Sequence, residues 1–107
     1  MKSRFLNDAK QDLADCSIWF ENRSAGLGIA FLEAIEMGIS KILESPQLFS
    51  PTDEEIIGYE TRVYAIRKFN FFITYLVEPD EIIVLAIDRR KRRSETWIER
   101  LNELLPE

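Results

Sequence analysis

Three short runs constrain this chain more than anything else in it: "RVYAIR" (Arg62–Arg67), "FFITYLV" (Phe71–Val77) and "IIVLAI" (Ile82–Ile87). Each is dense in β-branched and aromatic residues and too short for a helix, so the pattern predicts three successive strands. "EPDE" separates the last two, with Pro79 suited to the first central turn position and Asp80 to the second. Phe71–Val77 and Ile82–Ile87 are therefore expected to form an antiparallel hairpin. A sheet of this kind has an apolar face to cover, and the residues before it must supply the cover.

Two helical patterns precede it. Asp8, with Gln11 three residues later, resembles a capping box, and Ala9, Leu13, Cys16 and Phe20 recur at helical spacing towards Arg23. "SAGLG" (Ser24–Gly28) supplies a flexible break. Beyond it Phe31, Ile35, Ile39 and Ile42 form one stripe, widened by Leu32, Ala34, Met37 and Leu43, and the helix must end before Pro46. So wide a stripe should touch both the first helix and the sheet. Lys2–Leu6 reads as a first strand. Ser94 is placed to cap a last helix in which Trp97, Leu101 and Leu104 share a face, alongside Ile98 and Leu105. The expected class is α+β: an N-terminal helical hairpin packed on a small antiparallel sheet, in the order β-α-α-β-β-β-α. At 107 residues with 46% hydrophobic content, residues 1–107 suit one compact domain.

Residue types remove several chemistries. Histidine is absent, so a serine or cysteine nucleophile lacks its usual base, and a single cysteine leaves no set of nitrogen and sulfur ligands for zinc. No glycine-rich phosphate loop follows a strand. No metal and no cofactor is expected. Cys16 lies in the apolar helical pattern and reads as a buried, inert thiol. Asp53, Glu54 and Glu55 flank Pro51 in a polar connection and read as a solvated loop rather than a catalytic pair. No stretch is apolar enough to span a membrane and no signal-peptide core is present, which makes the cytoplasm the expected compartment.

Set against this background is "RRKRR", Arg89–Arg93, in a chain of formal net charge −5. Such a block is commonly a solvated segment, but five adjacent like charges destabilise a small domain unless something compensates, and an acidic partner would do so. Trp97 opens an apolar stripe and suits core contact better than target contact. Arg62 and Arg67 bracket a strand, where charges also discourage stray edge pairing. Tyr64 and Tyr75 read as strand packing residues.

The order of elements, together with "GLGIAFLEAIEMGISKILESP", "IRKFNFFITYLVEPDEIIVLAIDRR" and "RSETWIERL", resembles the ParE/RelE superfamily of toxins from type II toxin–antitoxin modules, also described as plasmid stabilisation proteins. The resemblance spans nearly the whole chain and implies a helical hairpin on an antiparallel sheet. It also implies a choice of activity: RelE-type members cut messenger RNA on the ribosome, whereas ParE-type members inhibit DNA gyrase. Where RelE-like nucleases carry an arginine and two lysines, this chain has Phe72, Val63 and Ala65, and Trp97 falls where they place a tyrosine. Only Lys91 matches a basic position, and the histidine that other relatives have near Arg89 is missing. A sequence pI near 4.8 argues the same way, because contact with ribosomal RNA draws on a broadly basic surface.

The reading that follows is a ParE-like toxin, closer to the gyrase inhibitors, that binds its target without hydrolysis. Its target-binding candidates are Arg62, Arg67, Arg89, Arg90, Lys91, Arg92, Arg93 and Trp97. Departures from ParE-like patterns are Asn70 for a proline, Arg93 for an aspartate and Ser94 for a proline. The resemblance further implies a cognate antitoxin, whose segment would dock as a helix or added strand against Phe31, Ile35, Met37 and Leu101. Two alternatives stay open. One is a ribosome-dependent mRNA interferase with rearranged groups, for which Arg92, Arg67 and Tyr75 would have to converge. The other is a degenerate toxin that keeps only antitoxin or regulatory binding.

Overall fold

The computed structural model describes residues 1–52, 58–89, 99–101 and 104. Strand β1 (Lys2–Phe5) leads directly into helix α1 (Asn7–Arg23), and after three residues helix α2 (Leu27–Glu44) runs back beside it. Strands β2 (Ser50–Pro51), β3 (Glu60–Ile66), β4 (Phe71–Val77) and β5 (Glu81–Asp88) follow, and residues 99–101 are helical. The anticipated Ser94 cap, with Trp97, Ile98 and Leu105, lies outside the described residues, as do Asp53, Glu54 and Glu55. Among the described residues no helix is long and apolar enough to cross a membrane.

Apart from the two-residue β2, which is additional, the order β-α-α-β-β-β and the α+β class are as anticipated, but the sheet is mixed rather than antiparallel. Its strands lie in the order β1-β5-β4-β3-β2. β1 runs parallel to β5, pairing Lys2 with Glu81 and Phe5 with Val84. A parallel pair needs a long crossover, and here both helices and three strands provide it. β3, β4 and β5 form the antiparallel meander, with Ile66 opposite Phe71 and Val77 opposite Ile82. At the β4–β5 turn the Glu78 N–H donates to the Glu81 carbonyl at 2.9 Å, with Pro79 and Asp80 between them. The β3–β4 turn places Asn70 at φ 57. Asparagine tolerates that left-handed backbone, whereas proline is fixed near −65° and could not adopt it.

Local chemistry at the helix starts differs from the sequence reading. Asp8 and Gln11 do not form a capping box: Leu6 is the N-cap, without a side-chain cap, and Gln11 Nε2 donates to Asp15 at 2.8 Å. The break at Ser24–Gly28 is also not loose. Gly26 sits at φ 86, and the Glu21 carboxylate reaches across from α1 to accept the N–H groups of Gly26, at 3.0 Å, and Gly28, at 3.0 Å. A carboxylate on the first free amides of α2 satisfies donors that the helix cannot, and it opposes the positive end of the helix dipole.

The core lies between the hairpin and one face of the sheet. Phe31, Ile35, Ile39 and Ile42 of α2 pack with Phe20 of α1 against Ile66, Phe71, Ile73, Tyr75 and Ile87. Phe20 and Phe31 lie with ring centroids 4.9 Å apart, and each meets Phe71, at 5.5 and 5.1 Å. Such tilted and edge-on pairs each add about 1 kcal/mol to the area they bury.

The β4–β5 ladder slips once: Thr74 faces Ala86 but Tyr75 faces Val84, so Leu85 is the extra residue of a bulge. β1 pairs with β5 only as far as Val84. Past that point two side chains complete the edge. The Arg100 guanidinium donates to the Leu85 carbonyl at 2.8 Å and to Asp12 at 2.7 and 3.2 Å, while Asp12 accepts the Ile87 N–H at 3.0 Å. Both side chains are largely buried, 13% and 12% exposed. The hydrogen bond to Asp12, opposed by burial, raises the Arg100 pKa above its already high ordinary value.

Candidate functional site

Among the described residues the other edge of the sheet is barely covered. β2 has two residues and pairs only with Val63 and Arg62, and Thr52 N–H adds a bond to the Thr61 carbonyl. By the two-residue alternation of a strand, the N–H and C=O of Ala65 point to that same outer edge, beyond the end of β2. Around this stretch runs a groove of about 750 Å³, lined on the helix side by Ala34, Met37 and Gly38, and elsewhere by Leu48, Phe49 and the edge itself. Arg67 and Lys68 close one end. Met37 and Leu48 are 65% and 73% exposed, so the groove is apolar with a basic rim.

This geometry corrects part of the anticipated antitoxin surface. Phe31, Ile35 and Leu101 are 0%, 3% and 4% exposed and belong to the core, where a docking segment cannot touch them. Of the four, Met37 alone is open. The helical period located the buried face correctly but could not say that this chain's own sheet covers it. Ala34, Gly38 and Leu48 line the groove instead; Ala34 was legible as part of the widened stripe, Leu48 was not.

Among the target-binding candidates, Arg62 is committed within the fold. Its Nε donates to Glu60 at 2.8 Å and its Nη1 to the Phe49 carbonyl at 2.6 Å, fixing the approach to β2. That bond from Arg62 holds the Glu60 carboxyl below its ordinary pKa, with partial burial opposing and Gln47 assisting. Arg67 is exposed in the β3–β4 turn, and its guanidinium has no hydrogen-bond or ion-pair partner among the described residues. Arg89 follows β5, whose Asp88 faces Phe72 at the start of β4. Arg67 and Arg89 therefore share one end of the sheet, two strand spacings or about 10 Å apart across β4, while Arg62 belongs to the other half of β3. Arg90, Lys91, Arg92, Arg93 and Trp97 lie outside the described residues.

The positions aligned with nuclease cations do come together. Val63 and Ala65 are two residues apart on β3, and Ala65 faces Phe72 across the β3–β4 ladder, so all three lie on one sheet face. All three are apolar, and Thr74, which faces Val63 on the same side, is buried. Tyr75 is fully buried and donates its hydroxyl to the Pro46 carbonyl at 2.7 Å; burial pushes its pKa up to about 12. Tyr75 faces Arg62 in the ladder, five residues along β3 from Arg67, or roughly 16 Å. The convergence of Arg67 with Tyr75 that a rearranged nuclease would need is absent.

Sequence reasoning missed a cluster on α1. The Arg89 and Arg23 guanidinium carbons lie 3.9 and 4.1 Å from the centre of the Trp19 ring. Trp19, Phe71, Cys16, Asp15, Asp88 and Arg89 line a cleft of about 300 Å³. A legible signal existed: Trp19 and Arg23 are four apart, on one side of a helix. Cys16 is half-buried here, packed against the core as anticipated. Burial first, then Asp12, Asp88 and Asp15, raise its pKa to about 11 from 9.0. Its thiolate fraction at neutral pH should be about 100-fold below that of an unperturbed thiol, and alkylation by iodoacetamide correspondingly slow, accelerating up to pH 11. Alkylation at the rate of free cysteine would contradict this environment.

Comparison with known proteins completes the description. Among curated proteins none matches the chain in sequence. A solved structure described as a chromosomal ParDE TA system from P. aeruginosa is similar in fold, with a TM-score of 0.57 over 85% of this chain and 97% of that one, at 19% sequence identity. The family model for the ParE toxin of the type II toxin–antitoxin system parDE matches residues 4–94. With both helices and all five strands contained in or overlapping that span, the chain belongs to the ParE toxin family of type II toxin–antitoxin systems.

Proposed function

We propose that this ParE-family toxin acts in the cytoplasm by binding DNA gyrase, without cleaving RNA, and is neutralised by a cognate antitoxin. One observation carries the non-hydrolytic part: the sheet face on which nuclease relatives present cations holds Val63, Ala65 and Phe72, brought side by side. Cleavage of a phosphodiester needs charge stabilisation and proton transfer at the reacting atoms. Apolar side chains supply neither, and Tyr75 is buried with its hydroxyl engaged. Of the described cations, Arg67 and Arg89 instead lie at one end of the sheet, and with the basic residues that follow Arg89 in sequence they suit binding to an acidic protein surface.

Neutralisation fits the groove at the β3 edge. An incoming strand would find the N–H and C=O of Ala65, apolar side chains would lie against Met37 and Leu48, and acidic ones would meet Arg67 and Lys68. The decisive experiment uses purified, antitoxin-free protein with gyrase. Loss of supercoiling together with accumulation of cleaved DNA complexes is the expected result. Unaffected gyrase, with cleavage of mRNA on translating ribosomes, would replace this reading with the interferase.

A further inference from the structure

We propose that Trp19, Arg23 and Arg89 form a carboxylate-binding site for an acidic segment of a partner protein, in which Arg23 of α1 acts together with Arg89, the first residue of the basic run. The inference deepens the reading of this chain as a protein-binding toxin and rests on it. Two guanidinium carbons lie within 4.1 Å of one indole ring centre. Like charges held so near one another repel, and the ring quadrupole offsets only part of that. Among the described residues neither guanidinium donates a hydrogen bond or joins an ion pair. The two carboxylates of the adjoining cleft are engaged elsewhere, Asp15 by Gln11 and Asp88 by the Arg89 backbone N–H at 2.7 Å. Both carboxylates keep their charge beside the ring, but neither pairs directly with either guanidinium; what the arrangement lacks is a carboxylate on the guanidinium edges.

The chemistry of that counter-charge follows from the geometry. A guanidinium over a ring is held by its face, which leaves its edge of N–H donors available for bidentate contact with a carboxylate. Two such edges near one ring match neighbouring acidic side chains of a single segment. Trp19 remains 37% exposed, so the platform is open to an incoming chain, and its apolar body can pack against that chain's aliphatic atoms. Nucleic acid is the poorer fit because the chain carries net charge −5, and phosphate backbones are held by extended basic surfaces. Trp19 is on this account a positioning residue: it fixes Arg89, the first residue of the run.

The test follows the two indole N–H signals of the full chain by NMR, with Trp19 assigned through Trp19→Phe, during titration with a short polyglutamate peptide. A saturable shift of the Trp19 signal is expected, with affinity lowered roughly tenfold by Arg23→Gln, as for loss of one charge-assisted contact. Arg23 is exposed, so that variant keeps the fold. An unmoved Trp19 signal, an unchanged affinity in Arg23→Gln, or tighter binding of a single-stranded oligonucleotide of equal charge would overturn the site. Gyrase binding by the same proteins separates the two readings. Weakened peptide binding in Arg23→Gln, with gyrase bound by neither form, upholds the site and removes the target. Unchanged peptide affinity in Arg23→Gln, with gyrase bound equally by both forms and lost only when Arg89–Arg93 are neutralised, keeps the target and removes the site.

Discussion

Replacing Asp12 with alanine is expected to destabilise the protein by about 3 kcal/mol, lowering its melting temperature by roughly 10–20 °C. The loss has three parts. Arg100 keeps its charge in a site where only 13% of the side chain is exposed, and its nearest other carboxylate, Asp8, is 3.8 Å away and largely solvated. The Ile87 N–H loses its acceptor. The Leu85 carbonyl, turned outward by the bulge, then depends on a guanidinium no longer held in place. Removing one partner of a buried pair costs more than the pair contributes, because the remaining charge stays desolvated. Asp12→Ala combined with Arg100→Met should therefore recover part of the loss, which a thermal melt followed by circular dichroism would show. A single mutant melting at the wild-type temperature would mean that the contact is not formed in solution.

Gly28→Ala should cost a similar amount for a different reason. A Cβ built at Gly28 would stand 2.6 Å from the carbonyl oxygen of Ser17 and 3.0 Å from Glu21 Cβ. The first of these is backbone and cannot rotate away, so α1 and α2 must separate. Overpacking of this kind costs up to about 3 kcal/mol. Displacing Glu21 from the first amides of α2 adds about 1, and the better helix propensity of alanine returns about 1. The net is roughly 3 kcal/mol. Gly26→Ala is the control: nothing lies within 4 Å of its Cβ, so only the left-handed backbone is penalised, by about 1 kcal/mol. Urea unfolding of the two variants distinguishes the cases, and Gly28→Ala matching Gly26→Ala would show that the helices do not approach this closely.

What the sequence revealed and what it concealed divide along one physical line. β3, β4 and β5, the Pro79–Asp80 turn and the stripe of α2 were legible because each is a local pattern of period or turn chemistry. The parallel pairing of β1 with β5, the Asp12–Arg100 bond and the stacking of Arg89 on Trp19 join distant residues, and no local signal records them. β2 was hidden by brevity and by Pro51, which suits an edge strand but argues against a strand on sight. The candidate site divides likewise. Arg89 was found from charge density alone. Arg62 was chosen by charge too, yet it is spent on Glu60 and Phe49. Phe31 and Ile35 were assigned to a partner because an apolar stripe announces burial without naming what does the burying.

The pairing of β1 with β5 has a consequence for how the protein is made. Lys2 meets its partner Glu81 only after most of the chain has left the ribosome, and until then α2 has been synthesised without the sheet on which its apolar stripe packs. Long-range pairing of this kind folds slowly and exposes intermediates to aggregation. The sheet cannot close until β5 has been made, since the last strand to emerge is the one that seats the first and leads into Arg89. The strand order thus delays closure of the whole sheet, and burial of the stripe of α2, until nearly all of the chain is available.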